Sequence, residues 1–298
     1  MEELSNRGHT TTYLTRDSQV KFGKKFPSIE TVSLSNDTKH GIAFKALSTD
    51  SRKRTLPVLS AKLLKIVGST FEEDYKETVQ FFKSKNMDVA ICDHFTVSCQ
   101  EACHTLQIPF LVTSSIGAAP DTEAPYIDNS IKLFNTAFGF ESARPLGPLV
   151  EFIGPIVPKS AASKLTQDLD HFLVNHQRVA CIAFGQHATT NETELTALFA
   201  GLLEAYEIGY IDGMIWSIRG LDGIIPSVIV TSSNPTYHIH QLLNQNKLND
   251  IAFLQWAPQT AFLQHPSTIL FVTHAGAGSL YEGLQAGKRL VFLPLFFW

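Results

Sequence analysis

Short apolar runs along the chain alternate with segments in which apolar residues recur every three or four positions. In the first half, apolar runs at residues 89–92 and 109–112 flank a helical pattern at 98–106. A longer helical pattern follows Thr70 and Glu73, which are spaced as a helix-capping box. Apolar strands separated by amphipathic helices predict a parallel sheet that is buried on both faces.

The alternation stops between residues 118 and 163, where prolines and scattered aromatic residues predict loops and one short helix. It resumes with an apolar run at 179–184 and a helix that Asn191 and Glu194 are placed to cap. The remaining pattern predicts strands at 214–218, 228–231, 251–255, 269–273 and 290–293, and helices at 237–247, 259–264 and 279–287.

This order of elements predicts an α/β protein with two doubly wound, Rossmann-like domains that face a cleft. The first domain is expected to span residues 1–158, a linker 159–177 and the second domain 178–298. Folds of this kind bind their ligands at the carboxyl ends of the strands.

Composition and charge exclude some classes of partner. The chain of 298 residues is 44% hydrophobic and 17% charged, and its net charge is −4. It therefore carries no electrostatic footprint for nucleic acid or for an acidic membrane surface. No run approaches the roughly 18 apolar residues of a membrane span, so the chain as given is expected to be soluble. Its localisation stays open, because N-glycosylation patterns at Asn36 and Asn191 are compatible with a secretory or membrane-associated full-length form.

The four cysteines are too few, in a chain of this length, for a disulfide scaffold. We interpret Cys92, Cys99, Cys103 and Cys181 as buried core thiols. Cys99, Cys103 and His104 could share a helical face as metal ligands, but no second cluster completes a four-ligand site. We therefore predict neither a metal nor a bound cofactor.

The segment between Trp256 and residue 294 contains the most informative pattern. A strand that ends at 273 runs into the sequence His-Ala-Gly-Ala-Gly-Ser, and the amides of the following helix point at this turn. Such a turn can hold a phosphate group. Taken singly, each residue also has a structural explanation: Trp256 and His274 could be core residues, and Ser279 with Glu282 could form a capping box.

Taken together, these residues resemble the signature with which UDP-glycosyltransferases, the UDP-glucosyl and UDP-glucuronosyl transferases of glycosyltransferase family 1, bind their nucleotide sugar. The resemblance implies that Trp256 stacks on uracil, that Gln259 contacts the nucleoside and that Glu282 binds the ribose. It further implies that the pyrophosphate is held by His274, Gly276, Gly278 and Ser279.

The resemblance extends over nearly the whole chain. Residues 183–186, which include Gly185 and Gln186, resemble a Ser-Phe-Gly-Ser turn of the family that contributes to the donor site, and 215–219 resemble a later strand. Gln186 and Ala277 depart from the family pattern, which leaves the sugar undetermined, with glucose as the default. Ser114 and Ser115 are expected in the acceptor pocket, where apolar neighbours favour a lipophilic hydroxyl compound.

The resemblance implies direct displacement at the anomeric carbon with inversion and without a metal ion. A histidine would take the acceptor proton while an aspartate, here Asp93, orients its ring. A loop cap explains Asp93 equally well. His9 follows the end of a predicted helix and not a first strand, so we reject it as the base. We expect that base, its strand and the family's last sugar-binding residues to lie outside this chain, so that both domains are incomplete.

Three other functions compete with transfer. Asp168 and Asp170 could hold a divalent cation for a metal-dependent transferase, but Leu169 and Leu173 predict that both aspartates lie on a solvated helix face. The fold also serves nucleotide-sugar epimerases, which the tryptophan-led signature disfavours. Finally, the chain could be a non-catalytic, nucleotide-binding relic of such an enzyme.

Overall fold

The structure is a computed structural model, and its residues fall into two compact units, one that ends at Gly154 and one that begins at Pro155. It describes residues 1–34, 65, 68–114, 130–137, 139–140, 146–157, 164–185, 190–219, 221, 224–233, 235–245 and 250–293.

The first unit contains a small parallel strand pair and a larger parallel sheet. The part that contains the pair consists of α1 (Glu2–Asn6), β1 (Thr12–Thr15), a 3₁₀ turn (Asp17–Gln19), α2 (Val20–Gly23) and β2 (Glu30–Ser33). Strands β1 and β2 pair in parallel. The larger part consists of α3 (Phe71–Lys85), β3 (Ala90–Asp93), α4 (Val97–Leu106), β4 (Phe110–Ser114), β5 (Ile131–Phe134) and β6 (Val150–Phe152).

Strands β3 to β6 form the larger sheet in sequence order, and all of their pairings are parallel. Helices α3 and α4 bury an apolar cluster against this sheet, in which Ala102 and Cys103 are fully buried. Strands β5 and β6 lie in the region that we predicted as loops and a short helix. They were missed because each is at most four residues long and the surrounding prolines dominate the pattern.

The start of α3 differs from the predicted capping box. Thr70 is the N-cap residue, but its hydroxyl donates to the Asp74 carboxylate instead of accepting a backbone N–H. Asp74 is nearly buried and forms an ion pair with Arg16, so the hydroxyl satisfies a charge that has little access to water.

The interpretation of all four cysteines as thiols is wrong for two of them. Cys92, near the end of β3, forms a disulfide with Cys99 in α4, whereas Cys103 and Cys181 are buried thiols. Burial raises the pKa of Cys103 to about 11 and that of Cys181 to about 12, so both stay protonated at neutral pH. Among the described residues, the sulfurs of Cys92, Cys99 and Cys103 lie within 4.8 Å of one another, and His104 is not part of this group.

The second unit contains a five-stranded parallel sheet and a two-stranded hairpin. Their strands are β7 (Val179–Ala183), β8 (Gly213–Ser217), β9 (Val228–Val230), β10 (Thr236–His238), β11 (Ile251–Leu254), β12 (Thr268–Thr273) and β13 (Arg289–Phe292). The order of strands in the sheet is β11-β8-β7-β12-β13. The helices are α5 (Gln167–Asn175), α6 (Glu192–Glu207), α7 (Ile239–Gln245), α8 (Gln259–Gln264) and α9 (Ala277–Gln285).

Strand β7 is buried along its whole length, as expected for the centre of a sheet covered on both faces. On one face, α6 stacks Phe199 on Trp216 of β8, with ring centroids 3.9 Å apart. Helix α6 begins as predicted, because the Asn191 side chain accepts the backbone N–H of Glu194. On the other face, α5 buries Leu173, so part of the segment predicted as a linker packs into the core of the second unit.

Strands β9 and β10 form an antiparallel hairpin, so residues 228–230 do not join the main sheet within the described part of the chain. None of the helices formed by the described residues has both the length and the hydrophobicity needed to cross a lipid bilayer.

A partly buried polar network joins α5, α6 and the start of β11. His176 contacts the Phe172 carbonyl through Nδ1 at 2.8 Å and the Asp250 carboxylate through Nε2 at 3.0 Å. The Tyr206 hydroxyl donates to the other oxygen of Asp250. The Tyr206 hydrogen bond and then that of His176 lower the pKa of Asp250, and the same Tyr206 bond raises the pKa of Tyr206 to about 12.

We expect Asp250→Asn to lower the free energy of unfolding by about 1 kcal/mol at pH 7, because the amide replaces a charged acceptor at a partly exposed site. Since the folded-state pKa of Asp250 is lowered from 3.8, its carboxylate stabilises the fold above that pH and loses this effect as the pH falls through the folded value. Urea unfolding at pH 7 and pH 3 should therefore show a difference that shrinks in acid. An equal difference at both pH values would contradict this account, and the exposed Glu101→Gln serves as the control.

Candidate functional site

The predicted donor residues of the second unit lie at the carboxyl edge of its sheet. Parallel pairing places Leu254 of β11 opposite Ser217 of β8, and Thr273 of β12 opposite Ala183 of β7. The segments that leave these four neighbouring strands carry Trp256, residue 219, Gly185 and His274. Residues that are far apart in the sequence therefore meet at one edge.

The turn after β12 is shaped by the imidazole of His274. Ala275 has a φ of 66°, an unusual value for a residue with a side chain, and Gly276 is the N-cap of α9. A Cβ atom built on Gly276 would lie 2.4 Å from His274 Nε2, and one on Gly185 would lie 3.0 Å from His274 Cε1. Both positions therefore require glycine while the ring stays in place.

Helix α9 starts at this turn with its first amide groups directed towards the carboxyl edge. The initial N–H groups of a helix have no partner within the helix and carry a partial positive charge. Together with the imidazole of His274, they form a surface that favours an anion such as a phosphate. Gly278, in the first turn of α9, is exposed, and a Cβ atom added there would meet nothing within 4 Å, so packing does not require glycine at this position.

Three of the predicted donor residues form a hydrogen-bond network. The side-chain nitrogen Nε2 of Gln259, at the start of α8, lies 2.7 Å from Glu282 Oε2 and 3.2 Å from Ser279 Oγ. Ser279 and Glu282 lie inside α9, whose N-cap is Gly276, so they do not form the capping box that would explain their spacing without a ligand. The Glu282 carboxylate keeps acceptor capacity for hydroxyl groups of a ligand.

Trp256 is not a core residue. Half of its surface is exposed at the carboxyl edge, and the Arg219 guanidinium lies over its ring, with Cζ 5.0 Å from the ring centroid. The exposed indole offers a flat, apolar surface for another planar ring. The site thus combines a stacking surface, hydroxyl-binding groups and an anion-binding turn.

In the first unit, β3 and β4 bring two other predicted residues to one edge. Asp93 pairs in register with Thr113, the neighbour of Ser114. Asp93 is exposed, and its Oδ1 accepts the backbone N–H of Phe95 at 2.9 Å, so it caps the loop after β3. Ser114 is nearly buried at the end of β4.

Ser115 and Gln186 lie outside the described residues. His9 is exposed and lies between α1 and β1. It therefore follows a helix, as predicted, and this order of elements was the reason for rejecting it as the base. Asp168 and Asp170 are both exposed in the first turn of α5, as predicted for a solvated helix face.

The contact of Arg219 with Trp256 was not predicted from the sequence. Arg219 belongs to the segment 215–219, which resembles a strand of the family, but no individual role was predicted for it. The signal that could have revealed the contact is the parallel pairing of β8 with β11, because residues at equal distances beyond paired strand ends are neighbours.

Comparisons with known proteins agree in one family. The family described as "UDP-glucoronosyl and UDP-glucosyl transferase" matches residues 66–297. UDP-glycosyltransferase 1 of Phaeomoniella chlamydospora is 38% identical over 188 residues, which is 60% of this chain and 35% of that protein. Human UDP-glucuronosyltransferase 3A1 is 30% identical over 168 residues, which is 54% of this chain and 27% of that protein. The chain thus spans only about a quarter to a third of the length of these two relatives.

Solved structures share the fold at low sequence identity. The UDP complex of UGT89C1 from Arabidopsis thaliana has a TM-score of 0.68 and 17% identity, over 98% of this chain and 75% of that one. UGT2 of Phytolacca americana, in complex with UDP-2fluoro-glucose and pterostilbene, has a TM-score of 0.62 and 16% identity, over 99% of this chain and 76% of that one. The predicted α/β fold with two Rossmann-like domains, known as GT-B, is therefore confirmed.

We expect Gly276→Ala to destabilise the second unit by about 1 to 3 kcal/mol, because the new Cβ forces the His274 ring or the turn to move. Gly201→Ala is the matched control, since Gly201 lies in α6 and a Cβ there meets nothing within 4 Å. It should leave stability unchanged or raise it by up to about 1 kcal/mol. Urea unfolding of both variants tests this difference, and equal stabilities would contradict the packing of His274 against Gly276.

Proposed function

The chain belongs to the UDP-glucuronosyl and UDP-glucosyl transferase family, and from this premise we propose that it binds a UDP-sugar at the carboxyl edge of its second sheet. We further propose that the sugar is transferred to a hydroxyl group of a small, lipophilic acceptor. The observation that carries the proposal is the network of Gln259, Ser279 and Glu282 next to the turn of His274.

Each part of the donor has a matching group at this edge. The uracil ring stacks on the exposed indole of Trp256, and the ribose hydroxyls donate to Glu282, which Gln259 holds in place. The pyrophosphate lies at the turn of His274 and Gly276, near the first amides of α9, with Gly185 beside it. Gln186, the next residue in the sequence, remains a proposed donor residue. Gly278 has no side chain and Ser279 has a short one, so the phosphate has room to approach the backbone.

This arrangement supports transfer without a metal ion. The leaving UDP gains negative charge, which the helix amides and the imidazole of His274 stabilise in place of a cation. No bound cofactor is required in this proposal, because the UDP-sugar is itself consumed. The exposure of Asp168 and Asp170 on a helix face supports the same conclusion.

We assign Asp93 as the carboxylate that orients a histidine base. Oδ1 of Asp93 is held by the Phe95 backbone N–H, which fixes the carboxyl group, while its second oxygen can accept from an imidazole ring. With this base, the acceptor oxygen would attack the anomeric carbon from the face opposite to UDP, and the configuration would invert. We do not propose His9 as this base.

Glucose is the proposed sugar, and the acceptor is proposed to be a phenolic, sterol or lipid hydroxyl. UGT2 of Phytolacca americana was solved with UDP-2fluoro-glucose and pterostilbene, a pair of ligands that fits this choice. Ser114, at the end of β4, and its neighbour Ser115 are the proposed acceptor-pocket residues of the first unit.

A second candidate is nucleotide binding without transfer. It is favoured by one observation: the donor residues meet in the second unit, whereas Asp93 makes the hydrogen bond of an ordinary loop cap. The two candidates differ in turnover and agree on UDP binding, so a binding assay and a transfer assay separate them.

We expect Trp256→Ala and His274→Ala each to weaken UDP binding by about tenfold or more, measured by isothermal titration calorimetry. Loss of base stacking costs about 1 to 3 kcal/mol, and loss of a hydrogen bond to a charged group costs a similar amount.

Tyr210→Ala is the matched control for these variants, because Tyr210 is 70% exposed and precedes β8 at the opposite edge of the sheet. Its UDP affinity should equal that of the unchanged protein. Unchanged affinity in both Trp256→Ala and His274→Ala would refute the donor site.

We expect a longer protein that carries this chain together with the histidine base to glucosylate a hydroxystilbene from UDP-glucose at the same rate with and without excess EDTA. The product should have the inverted, β-anomeric configuration, which NMR coupling constants report. Asp93→Asn should lower kcat by at least about a hundredfold and leave UDP affinity unchanged, because the carboxylate acts on the base and not on the donor.

Loss of activity with EDTA would refute metal independence, and an α-linked product would refute inversion. UDP binding without any transfer, tested over a panel of phenols and sterols, would favour the nucleotide-binding candidate.

A further inference from the structure

Arg219 and Trp256 occupy equivalent positions on two neighbouring strands. Strands β8 and β11 pair in parallel, with Ser217 opposite Leu254, and Ile218 continues the ladder by donating its backbone N–H to the Leu254 carbonyl at 2.9 Å. Each of the two residues follows two positions after its paired strand end. The pairing of the strands therefore brings their side chains together without help from any other element.

The guanidinium covers one face of the indole. Its Cζ lies 5.0 Å from the ring centroid, within the range of a cation–π contact, while half of the Trp256 surface remains exposed. Arginine stacks well on aromatic rings because its guanidinium is planar and only weakly hydrated. The guanidinium thus covers one face of the indole, and the exposed half of the residue leaves aromatic surface accessible to a planar ligand.

A tryptophan in this position would otherwise have to be immobilised when a ligand stacks on it. Ordering a free side chain costs roughly 0.5 to 1.5 kcal/mol, which is subtracted from the affinity. A guanidinium already stacked on the rear face restricts the ring before the ligand arrives. It also prevents a planar ligand from binding on that face.

We propose that Arg219 is a positioning residue for the nucleobase: it holds the Trp256 indole in place so that uracil stacks on the opposite face. This inference rests on the proposed function, since it deepens the assignment of the donor site. It assigns Arg219 to the base and not to the pyrophosphate, although its positive charge could attract either.

A comparison of two ligands with two single variants and one double variant tests this assignment. Uridine has the base without phosphate charge, whereas UDP has both. Affinities for both ligands are measured by ligand-detected NMR titration for the unchanged protein, Arg219→Ala, Trp256→Ala and the double variant. Arg289→Ala removes the same charge from an exposed arginine at the other end of the sheet, at the start of β13, and serves as the control.

We expect Arg219→Ala to weaken uridine and UDP binding by the same factor, about two- to tenfold, which corresponds to the cost of ordering one side chain on binding. In the Trp256→Ala background, the further loss of Arg219 should change uridine affinity by less than about 1.5-fold, because the indole through which it acts is gone. Arg289→Ala should change neither affinity, and the thermal unfolding midpoint of Arg219→Ala should stay within about 1 °C of the unchanged protein.

A loss confined to UDP would overturn the proposal, since it would place Arg219 at the phosphates. Unchanged or tighter uridine binding by Arg219→Ala would also overturn it, the latter because the guanidinium would then compete with the base for the ring. If Trp256→Ala weakens binding and Arg219→Ala does not, the inference fails and the donor site stands. If the unchanged protein binds neither ligand, the proposed function fails and the inference fails with it.

Discussion

The parallel pairing of the strands of the second unit is the constraint on which its ligand site depends. Because β11, β8, β7 and β12 run in the same direction and in register, their carboxyl ends form one edge. Each strand therefore delivers a group to the same place: an indole, a guanidinium, a glycine and an imidazole. None of these groups needs a long-range contact of its own, since the backbone hydrogen bonds of the sheet set their spacing. The buried centre of the sheet, with Phe199 stacked on Trp216, keeps this edge rigid.

Two kinds of interaction then complete the site from this common edge. Around His274 the interaction is steric, because the ring fills the space that side chains at Gly185 and Gly276 would need. Around Glu282 it is polar, because Gln259 donates to the carboxylate from another helix. The first arrangement leaves backbone amides accessible, and the second leaves a charged acceptor in a fixed orientation. This division suits a ligand with a charged end and a hydroxyl-rich centre.

Much of the second unit could be predicted from the sequence, since its main strands are uninterrupted apolar runs and amphipathic helices separate them. Strands β7, β8, β11, β12 and β13 begin and end within about two residues of the predicted positions. Strands β5 and β6 were missed, because prolines nearby outweigh three or four residues of strand pattern. The bond between Cys92 and Cys99 was missed for a different reason: it depends on the distance between β3 and α4, which no local pattern encodes. The stacking of Arg219 on Trp256 is likewise a property of strand pairing and not of either segment alone.

The packing of one imidazole ring between two glycines has an evolutionary consequence. Gly185 and Gly276 belong to different turns, yet each is constrained by the same side chain at position 274. Mutations at the three positions are therefore not independent. At Gly276 a larger residue becomes tolerable only after the histidine has been replaced by something smaller, and that replacement removes the group next to the start of α9. Gly185 differs, because its φ of 73° strains any side chain whatever residue stands at position 274. The order in which substitutions can accumulate here is thus restricted, and a lineage that has lost the histidine no longer needs glycine at position 276 but still needs it at position 185.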